Sequence, residues 1–379
     1  MRAFIIGAGK TKFGPTTYTL TQLLHQAITR ALDDAGLRVT ELGAFVVANF
    51  LGGPNNSQLH LNAVVAGLFP GVRMPGWRVE AACASGGVAL HQAILSLSAY
   101  DPVLVVGVEK LSGLGGSELT HNIGMAGDAE IDQSQGLTFP GNYALIAQEH
   151  MRLHGTRLTD LEAVALKNHA NARFNPNAHF QHKTVTQADI DAGATVAAPL
   201  RLFDCCPISD GAAALVISRE PADARSLRVL GSAVRADVIS LAQREEWTTF
   251  PAAREAAVDA YSQADIVASD VDLAEVHDCF TIAEIVAMED LGLARPGEAV
   301  ERLRAGDTQI GGPVPVNASG GLKAGGHAIG ATGISQVYEL VKQIRGEAGE
   351  AQVARASVGV AHNIGGIGGT AAVHVIGRS

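Results

Sequence analysis

The chain repeats two short segments at distant positions, and this feature constrains the fold more than any other. The run Ala-Ser-Gly-Gly occurs at residues 84–87 and again at 318–321. A small-residue run at 211–217 is similar in character to one at 369–376, and each has the pattern of a buried strand entered through a glycine. Gly/Ala strings this short also recur by chance. If the repeat is real, the chain folds as two similar halves.

The spacing of the repeated segments predicts an insertion in the first half. The two segments lie much further apart there (84 to 211) than in the second half (318 to 369). We therefore expect an inserted loop domain at about residues 112–200. The first half would then span residues 1–225, and the second half residues 226–379.

Strand and helix patterns alternate along both halves, which predicts helices covering mostly parallel sheets in a layered α/β fold. The strand-like stretches are residues 44–50, 102–108, 227–234, 273–276 and 354–360. The helical stretches are residues 21–35, 143–153, 158–172, 254–264 and 334–345, whereas 113–127 is typical of glycine-rich loops.

Composition excludes several classes of function. The net charge of −10 argues against nucleic-acid binding, because phosphates require a basic surface. No apolar stretch approaches the ~20 residues needed to cross a membrane. The start of the chain has the pattern of a first strand, and its residues 7–11 lack the further glycines of nucleotide-binding motifs. Four cysteines without disulfide or zinc spacing suit a reducing compartment, so we predict a cytoplasmic protein.

Cys83 is the strongest candidate for a reactive residue. A short apolar stretch, residues 77–82, precedes it, and an amphipathic run, residues 88–97, follows at helical spacing. This pattern predicts a strand, a tight turn and a helix, with the thiol near the helix N-terminus. The helix dipole favours a thiolate there, so we expect a lowered pKa. An isolated cysteine is more often an inert residue packed in a core. The other segments of the chain decide between a packed and a reactive Cys83.

Three further segments place ionisable residues in turn-like contexts. Residues 275–281 contain His277 and Cys279, residues 325–333 contain His327, and residues 362–369 begin with His362. Each is expected where connections leave the sheet, which is where open α/β sheets gather their ligand sites. Glycine-rich turns direct backbone N–H groups together into an oxyanion hole. Thiols and histidines in such loops suit covalent acyl chemistry.

Other interpretations of these residues remain open. His277 and Cys279 could form half of a zinc site, although no second ligand pair has suitable spacing. Asp278 could simply cap the following helix. His362 could be a structural histidine at a strand end. Cys205 and Cys206 are expected to be buried structural residues.

At these positions the chain resembles the thiolase family, in its sterol-carrier-protein-type and archaeal-like branch. The matching motifs are the Cys83 loop, residues 204–214, HDCF at 277–280, residues 317–321 with GHxxG at 326–330, and HNxGG at 362–366. The resemblance implies a five-layered α-β-α-β-α fold of two similar halves with an inserted loop domain. It also implies a homodimer or homotetramer.

The resemblance implies a role for each motif residue. Cys83 would be the acylated nucleophile, and His327 would take its proton. His277 would share an oxyanion hole with His327 for the thioester oxygen of the second substrate.

The remaining roles follow from the HDCF branch of the family. His362 stands where most thiolases have a second catalytic cysteine. Cys279 would replace that cysteine as the acid/base at the substrate α-carbon. The backbone N–H groups of Cys83 and of the loop near Ile364 and Gly365 would form the oxyanion hole for the acyl-enzyme.

The implied activity is that of a CoA-dependent thiolase, acting by thiolytic cleavage of a 3-oxoacyl-CoA or by Claisen condensation of an acyl-CoA with acetyl-CoA. Its substrates are CoA thioesters and CoA, and we expect neither a cofactor nor a metal. The alternatives are a retro-aldolase, an acyltransferase on a non-CoA acceptor, and a subunit that needs a small zinc-ribbon or OB-fold partner. No motif in residues 112–200 specifies the acyl chain.

Overall fold

A computed structural model of the chain describes residues 2–378, and its central feature is a nine-stranded mixed sheet. The strands are β1 (Phe4–Lys10), β2 (Ala44–Ala48), β3 (Gly76–Val79), β4 (Val103–Glu109), β5 (Thr195–Ala197), β6 (Leu200–Arg201), β7 (Gly211–Ser218), β8 (Leu227–Ala236), β9 (Leu273–Glu275), β10 (Val358–Gly365) and β11 (Thr370–Gly377). Their spatial order in the sheet is β3-β2-β4-β7-β1-β8-β11-β10-β9, and β5 and β6 form a separate ladder.

The order of the strands repeats in the two halves. Outward from β1, the first half has β7, then β4, then β2. Outward from β8, the second half has β11, then β10, then β9. A short antiparallel pairing of β1 with β8 joins the halves. The counterpart of β3 is a single bridge between Ala274 and Val316, just before the second Ala-Ser-Gly-Gly run. The repeated segments therefore occupy equivalent places in the fold.

Helices cover both halves and also separate them. They are α1 (Leu20–Ala35), α2 (Gly52–Asn56), α3 (Leu61–Gly67), α4 (Ser85–Ser96), α5 (Gly116–Gly124), α6 (Phe139–His154), α7 (Leu158–Ala172), α8 (Gln187–Asp191), α9 (Pro251–Ala264), α10 (Thr281–Asp290), α11 (Ala299–Ala305), α12 (Gly321–Gly325) and α13 (Thr332–Arg345). Helices α4 and α13 contact each other and strands of both halves. Helix α1 covers β1 and β7, and α9 covers β8 and β11. This is the predicted α-β-α-β-α arrangement, and the fold class is confirmed. The expectation of mostly parallel strands was wrong: β2 pairs in parallel with β3 and β4, and β10 with β9, whereas the other five pairings of the sheet are antiparallel.

One long connection distinguishes the halves. Residues 110–210, between the adjacent strands β4 and β7, contain helices α5 to α8 and the β5–β6 ladder. The equivalent connection between β10 and β11 is a turn at residues 366–369. Part of the predicted glycine-rich loop, residues 113–127, is helical in α5. The prediction was wrong there because the glycines of α5 lie only at its ends, and its middle contains neither glycine nor proline and buries Leu119 and Asn122.

Strand β10 also extends further along the chain than predicted. The strand-like stretch 354–360 becomes β10, which begins at Val358 and continues to Gly365. Pairing with β11 in unbroken register from Val358 to Gly365 carries the strand on. His362 therefore lies within a strand and not in the turn that follows it. Within residues 2–378, no helix is long and apolar enough to span a bilayer.

Candidate active site

The turn between β3 and α4 places Cys83 at the start of the helix, as the sequence predicted. Ala82 adopts a left-handed conformation with φ of 50°, which costs a residue with a side chain about 1 kcal/mol. The Ser85 hydroxyl stabilises this turn, since it accepts from Ala81 N–H at 2.9 Å and donates to Ala82 O at 2.6 Å. The nucleophile candidate is thus held in a strained but well-bonded turn.

Two histidines from distant segments meet the Cys83 thiol. The Cys83 sulfur and one ring nitrogen each of His277 and His327 all lie within 4.8 Å of one another. The two imidazole rings are nearly perpendicular, with centroids 5.1 Å apart. Such a set could transfer protons or bind a transition metal. The absence of a metal stays a prediction, which metal analysis of the purified protein would check.

Asn363 joins these groups, and no role was predicted for it from the sequence. Its side-chain N–H₂ group donates to Cys83 O at 2.9 Å and contacts His277 Nδ1 at 3.1 Å, while its Oδ1 accepts from Gly87 N–H at 3.0 Å. Because His277 Nδ1 accepts, the ring proton is on Nε2. That buried Nε2–H has no hydrogen-bond partner among residues 2–378. It is therefore free to donate to a substrate oxygen.

We expect Asn363→Ala to weaken both the fold and the site. The substitution leaves three buried or half-buried groups without a partner, so the free energy of unfolding should fall by about 2–4 kcal/mol. His277 would also lose the contact that fixes its tautomer, and turnover should fall. Urea denaturation and steady-state kinetics measure the two effects. Asn175→Ala removes another buried asparagine whose side chain makes three hydrogen bonds, and it should lower stability without lowering turnover.

His327 is oriented by groups on both sides of its loop. Its backbone N–H donates to Ser209 Oγ, and its Nδ1 lies 2.8 Å from Thr332 Oγ1. The Thr332 hydroxyl donates to Ala328 O, so the proton between ring and hydroxyl comes from His327 Nδ1. His327 Nε2 is then an acceptor, as a base for Cys83 requires.

Glu109, which was also not predicted from the sequence, holds the same loop from the end of β4. Its buried carboxylate accepts from the backbone N–H groups of Gly330, Phe50 and Leu51 and from Asn49 Nδ2. Burial raises the pKa of Glu109 to about 7. The carboxylate therefore joins two loops that meet beside the site.

Burial controls the protonation of the site. It lowers the pKa of His327 to about 3, that of His362 to about 4, and that of His277 well below its ordinary value. Burial also raises the pKa of the Cys83 thiol to about 12, outweighing the N–H groups of Gly366 and of Cys83 itself. The predicted lowering of the Cys83 pKa was wrong, because the loss of water around sulfur exceeds the gain from the helix start. The resting site combines a protonated thiol with neutral imidazoles.

The raised pKa predicts how Cys83 reacts with iodoacetamide. Its alkylation should be at least about tenfold slower at pH 7 than that of a free thiol, and the rate should still rise above pH 9. Stability should fall as pH rises from about 9 to about 12, because the unfolded thiol ionises first. Peptide-level mass spectrometry follows the alkylation. A rate plateau below pH 7 would instead indicate a thiolate–imidazolium pair.

Cys279 borders the same cavity as Cys83. It is buried, and burial raises its pKa well above the ordinary value, so the thiol carries its proton at neutral pH. The neighbouring Tyr143 hydroxyl donates to Gly366 O at 3.1 Å, and its ring stacks on Phe280 at 4.5 Å. These contacts fix the turn that carries Cys279.

The remaining predicted residues lie behind the cavity wall. His362 accepts a long hydrogen bond, 3.5 Å, from His277 N–H and does not line the cavity. Ile364 and Gly365 are the last residues of β10, in register with β11. Gly366, one position further, borders the cavity and directs its N–H to the Cys83 sulfur. The backbone N–H that points to the sulfur thus belongs to Gly366, whereas the sequence predicted Ile364 and Gly365.

Asp278 and the vicinal cysteines have different surroundings from those expected. Asp278 accepts from the N–H groups of Leu322 and Lys323 at the start of α12, so it does not cap the following helix, α10. Burial beside Glu284 raises its pKa to about 7. Cys205 and Cys206 are half-buried and line the cavity.

The cavity has a volume of about 480 Å³ and an apolar wall. It is lined by Cys83, Leu111, Thr120, Ile123, Ala126, Phe139, Pro140, Val196, Leu202, Cys205, Cys206, Pro207, Ile208, Cys279, Phe280, His327, Ile329 and Gly366. Most of these residues belong to the long connection between β4 and β7. Both candidate catalytic thiols therefore face one apolar chamber, and the inserted segment shapes it.

Comparison with known proteins agrees with this geometry. Two family models, "Thiolase, N-terminal domain" and "Thiolase C-terminal domain-like", match residues 3–221 and 233–378. An acetyl-CoA acetyltransferase from Methanothermobacter thermautotrophicus is 43% identical over 99% of both chains. Human sterol carrier protein 2 is 31% identical over 98% of this chain and 71% of its own length.

A solved structure has the same fold. It is named "Ltp2-ChsH2(DUF35) aldolase", is 24% identical, and covers 100% of this chain and 98% of its own with a TM-score of 0.85. At that identity the likeness concerns the fold alone. The two family models and the full-length relatives, together with the motifs around Cys83, His277 and His327, establish that the chain belongs to the thiolase family.

Proposed function

We propose that the protein is a CoA-dependent thiolase that cleaves 3-oxoacyl-CoA, and that can also run the reaction as a Claisen condensation onto acetyl-CoA. One observation carries the proposal: the Cys83 thiol meets His277 and His327, and Cys279 borders the same cavity. A nucleophile with its base, an oxyanion donor and a second acid/base are the parts that this chemistry needs.

Cleavage begins with acylation of Cys83. His327 Nε2 takes the thiol proton, and the sulfur attacks the 3-oxo carbon of the substrate. The backbone N–H groups of Cys83 and Gly366 hold the developing oxyanion, a contribution of about 10²–10³ in rate for each donor. The C2–C3 bond then breaks and leaves the acyl group on Cys83.

The bond electrons pass to the leaving acetyl-CoA as an enolate. The His277 Nε2–H donates to the enolate oxygen, and Cys279 gives its proton to the α-carbon. Incoming CoA passes its thiol proton to the Cys279 thiolate and attacks the acyl-enzyme. Cys83 leaves as a thiolate and recovers its proton from His327. The protonated thiols and the neutral His327 of the resting site are the protonation states from which these steps start.

The substrates follow from the cavity. Its wall is apolar, with Thr120 the only hydroxyl-bearing residue among its lining residues, so an uncharged acyl chain fits best. CoA thioesters are the substrates and no further cofactor is required. A role in fatty-acid or related lipid breakdown in the cytoplasm agrees with this preference and with four free cysteines.

We also propose a homodimer or homotetramer that assembles through β3. This strand is at the outer edge of the sheet, and within residues 2–378 nothing pairs with its other side. All four of its residues are half-buried. An unprotected edge strand of this kind readily pairs with a second copy.

An assay of CoA-dependent cleavage on a series of 3-oxoacyl-CoA substrates tests the proposed activity. We expect consumption of CoA and release of acetyl-CoA by the purified chain alone. Release of a ketone or aldehyde without CoA consumption would instead establish a retro-aldolase, and acyl transfer only to a non-CoA acceptor such as a phenol would establish the corresponding acyltransferase. Activity only after addition of a zinc-ribbon or OB-fold protein would establish a partner-dependent subunit.

A further inference from the structure

A series of side-chain hydrogen bonds outside the cavity ties α4 to the second half of the sheet. His91 Nδ1 lies 2.8 Å from Ser232 Oγ, and Ser232 Oγ lies 3.0 Å from His374 Nδ1. His374 Nε2 in turn lies 3.0 Å from Gly87 O. Gly87 and His91 are on α4, whereas Ser232 on β8 and His374 on β11 are opposite each other in register. We call His91, Ser232 and His374 the histidine clamp.

The donor in each of these three hydrogen bonds can be assigned by starting from Gly87 O. Gly87 O can only accept, so His374 carries its proton on Nε2 and accepts at Nδ1 from the Ser232 hydroxyl. Ser232 Oγ then accepts from His91 Nδ1–H. Burial lowers the pKa of His374 to about 3 and also lowers that of His91, so both rings are neutral at neutral pH. All three hydrogen bonds can therefore form at once.

The clamp begins and ends on the same helical turn. Gly87 and His91 are four residues apart in α4, so the His91 backbone N–H donates to Gly87 O. Because this series of hydrogen bonds starts and ends on one turn of α4, it does not carry a proton toward the cavity. It fixes the position of that turn against β8 and β11.

The clamped turn is also the one that carries the catalytic contacts. Gly87 N–H donates to Asn363 Oδ1, and the Asn363 amide group contacts Cys83 O and His277 Nδ1. A Cβ at Gly87 would lie 2.7 Å from Ala372 Cβ, so the helix approaches β11 closely here. Gly87 is thus held through its C=O by His374 and through its N–H by Asn363.

We propose that His374 is a positioning residue for the reaction, which sets the location of the Cys83 turn through Gly87. The kinetic part of this inference rests on the proposed thiolase activity. A displacement of about 1 Å at a reacting group can cost 10²-fold in rate, so loss of the clamp should slow the acylation of Cys83.

The test compares three variants of the full chain. His374→Ala removes the hydrogen bond to Gly87 O, and His374→Gln offers a side-chain N–H in its place. Val375→Ala truncates the next residue of β11, a buried side chain that packs in a different core cluster from α4, and serves as the stability control. Each variant is measured for acylation of Cys83 by an acyl-CoA, for KM, for alkylation of Cys83 by iodoacetamide at pH 9, and for stability in urea.

We expect His374→Ala to acylate at least about tenfold more slowly with KM changed less than about twofold, and His374→Gln to recover to within about threefold of the wild-type rate. Val375→Ala should acylate at the wild-type rate despite a lower stability. Wild-type acylation by His374→Ala, failure of His374→Gln to recover any of the rate, or equal slowing by Val375→Ala would each overturn the proposal.

Two further measurements keep the result decisive. If His374→Ala does not fold, Ser232→Ala, which keeps the Gly87 bond but releases His374 Nδ1, should acylate about threefold more slowly, and an unchanged rate would overturn the proposal. If the wild-type protein accepts no thioester, the proposed activity fails. Alkylation of Cys83 by iodoacetamide needs no thioester, so the same variants still decide whether His374 positions it.

Discussion

Cys83→Ala should abolish the acyl-enzyme and reduce turnover by about 10⁴-fold or more. The thiol is the group that stores the acyl chain between the two half-reactions, and the N–H groups and histidines around it have no other nucleophile to assist. Cys83 lies partly exposed at the cavity, so the free energy of unfolding should change by less than about 1 kcal/mol. Steady-state kinetics and urea denaturation measure both quantities.

Cys206→Ala is the matched control for this prediction. Cys206 lines the same cavity, and burial likewise raises its pKa above the ordinary value. It has no part in the proposed reaction, so its loss should change turnover less than about threefold. Substantial turnover by Cys83→Ala, or a collapse of activity in Cys206→Ala, would remove Cys83 from the role of nucleophile.

Cys279→Ala should separate the two halves of the reaction. Acylation of Cys83 by a simple acyl-CoA needs no proton at an α-carbon, so this variant should acylate at nearly the wild-type rate. Cleavage or formation of the C–C bond should fall by about 10²–10⁴-fold, which is the usual contribution of an acid/base group. Single-turnover acylation and steady-state thiolysis give the two rates.

Cys279→Ser tests whether acidity or shape is responsible. A hydroxyl is nearly the same size as the thiol but a much weaker acid, so Cys279→Ser should be as slow as Cys279→Ala in C–C chemistry. Normal thiolysis by Cys279→Ala would assign the acid/base role elsewhere. His362 is then the first residue to test, because it contacts the backbone of His277.

The sequence predicted the fold class and indicated the main candidate residues of the site. Each repeated Ala-Ser-Gly-Gly run leads into a helix: residues 84–87 span the start of α4, and residues 318–321 end at the first residue of α12. Cys83, His277, His327 and Cys279 were predicted from turn-like contexts and motif positions, and they face one site. Local motifs suffice to name these residues, but β3 and β9, which lead to Cys83 and His277, are at opposite ends of the strand order. They meet because α4 and α13 pack between the two halves.

Other features depend on contacts between distant segments. The pKa of Cys83 is decided by how much protein surrounds the sulfur, and a helix N-terminus in the sequence does not reveal this. Asn363 belongs to the HNxGG motif at 362–366, but its contacts with Gly87 and His277 exist only once β10 packs against α4. Glu109 was equally hidden, since its partners belong to two separate loops.

Mass spectrometry of the protein mixed with acetyl-, longer acyl- and 3-oxoacyl-CoA thioesters tests the central claim most directly. We expect the mass of one acyl group on the peptide that contains Cys83, its removal by free CoA, and no such adduct in Cys83→Ala. An adduct on Cys206 or Cys279 with Cys83 unmodified, or no adduct from any thioester on a folded protein, would contradict the account.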